Sequence, residues 1–66
     1  LEIKKFRVAR GMTHGQLAEK VGVTRGAIYK WEYGSVLPTA DKLPIIADAL
    51  GVTIDALYGR DGTKAG

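Results

Sequence analysis

No cysteine occurs in the 66-residue chain, so neither disulfides nor thiolate metal sites can brace it, and packing alone must hold the fold. Histidine and serine appear once each, as His14 and Ser35. A histidine metal cluster is therefore excluded, and no nucleophile-and-base set can be assembled. Paired acids on a shared helix face are missing as well. These scarcities argue against an enzyme and leave no metal or cofactor to be expected. Apolar runs fall well short of the ~20 residues that span a bilayer, and the opening residues do not read as a signal segment. The first residue is Leu1 rather than methionine, and the expectation is a piece of a longer chain.

Strand signals are equally scarce. No stretch alternates apolar and polar residues for long, and no Asn-Gly or Asp-Gly pair separates two strand-like runs. What remains is an ordinary globular balance of 45% hydrophobic and 26% charged residues, enough for one domain with one modest core. The net charge is +3, and its placement is uneven. Residues 1–34 hold seven cations (Lys4, Lys5, Arg7, Arg10, Lys20, Arg25, Lys30) against three acids (Glu2, Glu19, Glu32), whereas residues 35–66 hold three against four. A polyanion partner should meet the first half.

Helix punctuation is dense. Ile3 and Phe6, with Val8 and Arg10, outline a first helix over roughly residues 1–10, closed by Gly11. Thr13 reads as the cap of a second helix with Leu17, Ala18 and Val21 on one face and Gly22 as its stop; Thr24 caps a third, with Ala27, Ile28 and Trp31 inward and Gly34 closing it. Residues 35–39 form a loop. A fourth helix buries Leu43, Ile46, Ala47 and Leu50 and ends at Gly51. Either Thr39 or Asp41 can cap it: with Thr39, Pro44 falls past the first turn and bends the helix, and with Asp41 its missing N–H costs nothing. Thr53 caps a short fifth helix with Ile54, Leu57 and Tyr58, and Leu57 and Tyr58 are candidates for a dimer surface. The expected fold is all-α, with the domain over 1–58 and a tail over 59–66.

Helices two and three, joined by Val21-Gly22-Val23-Thr24, carry the function. The glycine permits a tight turn between two steeply crossing helices, and Val21, Val23 and Ile28 fill the angle. With Arg25 set at 0°, Tyr29 falls near about 40°, Tyr33 about 80°, Gly26 about 100° and Lys30 about 140°, while Ala27, Ile28 and Trp31 lie between roughly 200° and 300°. One face is core; the other offers two cations, two phenols and a glycine without an acid. The DNA major groove accepts such a helix, and arginine at a guanine edge is the commonest specific contact. Tyr29, Tyr33 and Thr24 offer hydroxyls to phosphate oxygens, and the first turns of helices two and three favour an anion.

The run from Thr13 to Gly34 resembles the helix-turn-helix of the Cro and phage-repressor (XRE-like) regulators, in Leu17-Ala18, Gly22-Val23-Thr24, Ile28 and Trp31-Glu32-x-Gly34. The likeness continues through Pro38, Leu43, Ala47, Leu50-Gly51-Val52 and Leu57, nearly the whole chain. It implies a compact five-helix phage-repressor-like domain, insertion of the third helix (about 25–33) in the major groove, and a homodimer on an approximately palindromic double-stranded DNA operator. By matched position, Arg25, Gly26 and Lys30 fall where the family reads bases; His14, Thr24, Tyr29 and Tyr33 fall near phosphates. Arg7 matches a position that pairs with the one held by Glu32, a structural ion pair, although it could instead touch phosphate. The implied role is a transcriptional regulator, a repressor by preference, working in the cytoplasm at the nucleoid. The sequence departs from the pattern at His14, usually glutamine; at Gly15, which replaces a better helix former; and in the loop after Gly34, which lacks basic residues.

Plainer readings stand beside several of these. Trp31 lies on the core face, His14 at a helix start faces phosphate or solvent, and Lys4, Lys5 and Lys20 read as solvated. Two other functions share the fold: an antitoxin that binds its own promoter, and a protein-interaction adaptor. An adaptor should carry acids on the outer face of the third helix, and none is there.

Overall fold

The computed structural model describes residues 1–34 and 36–60. Among the described residues there are five α-helices and no strand: α1 (Ile3–Ala9), α2 (His14–Val21), α3 (Arg25–Glu32), α4 (Leu43–Leu50) and α5 (Ile54–Leu57), with a single 3-10 turn over Ala40–Lys42 before α4. The fold is the all-helical one expected.

Local chemistry sets the boundaries. Thr13, Thr24 and Thr53 all hold extended backbone and accept from the N–H three residues on, Gln16, Ala27 and Ala56 at 3.1, 3.2 and 3.1 Å. Each bond satisfies one of the orphan donors of a first helical turn, which is typically worth about 1 kcal/mol. Thr13 goes further: its own N–H donates to Gln16 Oε1 at 2.8 Å, closing a reciprocal capping box. Gly22 ends α2 at φ +84°, a left-handed conformation that a side chain would strain. The turn into α3 is therefore as tight as the sequence implied.

The entry to α4 reconciles the two alternatives for Pro44. Thr39 does open the segment, yet its hydroxyl bonds the Asp41 carboxylate rather than a helix N–H, and one 3-10 turn follows. That hydrogen bond holds the fully exposed Asp41 carboxyl below its ordinary range. The α-helical register starts afresh at Leu43, so Pro44 falls in the first turn, where no N–H is required.

Ile3, Leu17, Ile28, Ile46, Leu50 and Leu57 are fully buried, and Ala18, Val21, Trp31 and Ala47 nearly so. Phe6, Met12, Val23, Ala27 and Leu43 pack against them. Each helix thus contributes at least one side chain to a single core, with α2 lying against α3 and α4, α4 against α5, and α1 against α3. The ends of the fold meet where Glu2 N–H donates to Leu57 C=O at 2.7 Å. Arg10 reaches from the end of α1 to the Gly51 carbonyl at 3.3 Å.

Val8 lies within α1 as expected, on its solvent side, because the inward stripe runs Ile3, Phe6 and Arg7. One expectation needs correction. Leu57 is fully buried and cannot serve a dimer surface, whereas Ile54 and Tyr58 remain exposed. Residues 59 and 60 still bond back to α5, with Gly59 N–H donating to Ala56 C=O and Arg60 N–H to Asp55 C=O, both at 3.0 Å. The rest of the expected tail, 61–66, and Ser35 of the loop lie outside the described residues.

Candidate nucleic-acid interface

Arg25, Gly26, Tyr29, Lys30 and Tyr33 are all exposed, while Ile28 and Trp31 on the other side of α3 are buried. Two large aromatic side chains therefore stand outward from a small core, with 54% of Tyr29 and 56% of Tyr33 accessible. Isolated exposed aromatics are common on proteins, but these two touch each other, with ring centroids 4.7 Å apart at a tilt of 46°. His14, the first residue of α2, extends the row: its ring centroid lies 5.1 Å from that of Tyr29. At the far end the Lys4 ammonium of α1 sits 5.6 Å above the Tyr33 ring, within cation–π range.

The stem of Arg25 runs over the start of α2. A Cβ placed on Gly15 would meet its Cδ at 3.8 Å and its Cγ at 3.9 Å, ordinary contact distances. Gly26 has open space above it, with only Thr24 Oγ1 within 4 Å of a built Cβ, so a partner can approach the backbone there. The Thr24 hydroxyl caps α3 by accepting from Ala27, which leaves its proton to donate outward.

Beneath this face lies the acid of α3. The Glu32 side chain is wholly buried; Arg7 Nε donates to its Oε2 at 2.6 Å and Nη2 to its Oε1 at 3.2 Å. The remaining terminal nitrogen, Nη1, donates to the Met12 carbonyl at 2.8 Å. Arg7 is itself buried, and each of its three guanidinium nitrogens donates a bond within the fold. His14 Nε2 lies 3.1 Å from Glu32 Oε1, with about a quarter of the side chain accessible. The carboxylate is thus paired with Arg7 inside the fold, and α3 carries no acid on its outer face.

The structure therefore gathers Arg25, Gly26, Tyr29, Lys30 and Tyr33 on one surface, sets His14 beside it, and puts Arg7 and Glu32 underneath. Two contacts have no local signal in the sequence: Lys4 over Tyr33 and His14 on Glu32 depend on how α1 and α2 cross α3. Among the described residues, no three His, Asp or Glu side chains converge as metal ligands would, and no helix is long and apolar enough to cross a membrane.

Residues 3–57 match the family described as helix-turn-helix. The chain is 42% identical over 57 residues to the cryptic phage CTXphi transcriptional repressor RstR of Vibrio cholerae, covering 86% of this chain and 51% of the relative. It is 39% identical over 60 residues to the HTH-type transcriptional activator BcrR of Enterococcus faecalis, covering 91% and 29%. With the immunity repressor protein of Bacillus phage phi105 it shares 34% identity over 59 residues, covering 89% and 41%. The chain thus spans about half or less of the length of these relatives.

Proposed function

Because the chain belongs to the Cro and phage-repressor-like (XRE-like) helix-turn-helix family, which it matches over residues 3–57, we propose that it binds double-stranded DNA sequence-specifically as the reading domain of a transcriptional regulator, with α3 in the major groove. The observation that carries this reading is the outer face of α3. It presents Arg25, Gly26, Tyr29, Lys30 and Tyr33 to solvent while its one acid, Glu32, is buried and neutralised. A basic, acid-free helix surface suits the groove of a polyanion.

In this reading Arg25, Gly26 and Lys30 meet base edges, and Thr24, Tyr29 and Tyr33 meet phosphates. His14 would reach a phosphate only through the part of its ring left accessible beside Glu32. A homodimer on an approximately palindromic operator would present two copies of α3 to successive turns of one groove. Two of the relatives above are named repressors and one an activator; the reading adopted is repression by occupancy of a promoter, in the cytoplasm where the nucleoid lies. No observation favours an antitoxin or an adaptor.

Salt titration of binding to duplex DNA tests the reading. With four to six phosphates neutralised per subunit, log K should fall against log salt with a slope of about −4 to −5. An affinity that does not change with salt would overturn it.

A further inference from the structure

The hydrogen-bonding capacity left free on the outer face of α3 is lopsided. Arg25 and Lys30 are exposed, form no ion pair among the described residues, and carry donors only. The side chains around them that could accept through a carbonyl or carboxylate oxygen are already engaged. Glu32 takes three donor nitrogens, two from Arg7 and one from His14. Gln16 Oε1 accepts from the Thr13 N–H; the acceptors that remain are the hydroxyls of Thr24, Tyr29 and Tyr33, which the proposed reading puts on phosphates. Glu19 projects from the solvent side of α2, opposite Leu17 and Val21 by helical period, and is no part of this face.

Base edges in the major groove differ in what they ask of a protein. Guanine alone presents two acceptors side by side, N7 and O6, whereas adenine offers only N7 and thymine only O4. Adenine and cytosine present an amino group that needs an acceptor opposite it, which Asn, Gln, Asp or Glu usually supplies. We infer that this domain reads guanine: each half-site it prefers contains two guanines, one met by Arg25 and one by Lys30, and the amino groups of adenine and cytosine go unread. Five residues separate the two cations, about 7.5 Å along the helix axis. The cations also lie about 140° apart around the helix, too far from each other to share one base, so the guanines belong to separate base pairs. The inference rests on the proposed DNA-reading role and adds which bases the face selects.

Selection from a pool of duplexes with a random core tests it, using the intact chain and its Arg25→Gln variant, followed by base-analogue substitution in the enriched site. Guanine should be enriched at two positions per half-site. Replacing either by 7-deazaguanine, which lacks the N7 acceptor, should weaken binding about fivefold or more. Replacing adenines by purine, which lacks the amino group, should leave affinity unchanged. Arg25→Gln brings a carbonyl acceptor to the face and should move one of the two positions from guanine to adenine. The analogue series uses the unaltered protein, so its outcome does not hang on the variant's folding. Enriched sites without guanine, or sites that lose affinity when the adenine amino group is removed, would overturn the inference while leaving duplex binding intact. Equal retention of every duplex would do the same. Failure to retain any duplex at low salt would overturn the DNA-reading role itself, and the inference with it.

Discussion

Arg7 grips Glu32 with two of its nitrogens, at 2.6 and 3.2 Å, in a place where the glutamate side chain has no solvent contact at all. The pair ties α1 to the last turn of α3, one residue beyond core Trp31. It holds α3 by the end remote from Arg25 and pairs the one acid of that helix inside the fold. Taking both ions out of water is costly, and the fork geometry, with Met12 C=O and His14 as further partners, is what offsets that cost.

Breaking the pair on one side should therefore hurt more than removing it altogether. Arg7→Met or Glu32→Leu should each cost about 3–5 kcal/mol, since the abandoned charge stays in a buried position. The double variant should lose less than either single variant, so that more than half of the summed loss returns as coupling. Thermal unfolding of the four proteins without DNA measures the cycle. Single losses under about half a kcal/mol would mean that the pair behaves like an exposed one.

Gly15 sits inside α2, at its second residue, with ordinary contact space for a methyl group against the Arg25 stem. Gly15→Ala should accordingly stabilise the domain by up to about 1 kcal/mol through helix propensity and lost freedom in the unfolded chain. Urea unfolding should show a raised midpoint with an unchanged slope. A lower midpoint would mean that Arg25 cannot yield to the added methyl.

How far the sequence announced all this depends on the range of the interaction. The caps at Thr13, Thr24 and Thr53 and the stop at Gly22 are settled within four residues, and their chemistry is visible in the letters. The two faces of α3 follow from a single period. Legibility fails where helices cross. Val8 is apolar yet faces solvent, because the register of α1 against α3 gives the inward place to Arg7. Leu57 is buried and Tyr58 beside it exposed, which follows from how α5 packs against α4. The same crossings put His14 on Glu32 and Lys4 over Tyr33.

The Lys4 ammonium, held 5.6 Å from the Tyr33 ring, carries a positive charge to the margin of the α3 face. Lys20, on α2, has no such anchor among the described residues. Lys4→Ala should weaken binding about equally on preferred and random duplexes and make the salt slope shallower by about 1, as losing a phosphate contact does. Lys20→Ala should leave the slope unchanged. Equal effects of the two substitutions would return Lys4 to the solvated charges.

The spacing of half-sites tests the proposed dimer most directly. One domain presents one α3, eight residues and roughly 12 Å long, enough to cover only a few base pairs. A site long enough to be distinctive therefore calls for two copies, and a two-fold pair of them reads a palindrome. Copies bound to one side of the duplex must be separated by a whole helical turn, so half-site centres should lie about 10 base pairs apart, or a multiple of that. Inserting half a turn, about 5 base pairs, between the half-sites would rotate one copy to the far side of the DNA and break any contact between them. Electrophoretic mobility measured on such a spacer series should show tight, cooperative binding at the natural spacing, loss of cooperativity at the half-turn insertion, and at most partial recovery at the full turn. The exposed Ile54 and Tyr58 are the available apolar surface on α5 for the contact, and Tyr58→Glu should abolish the cooperativity while leaving single half-site affinity nearly unchanged. Binding indifferent to spacing, or selection of one asymmetric half-site, would make the domain a monomeric reader.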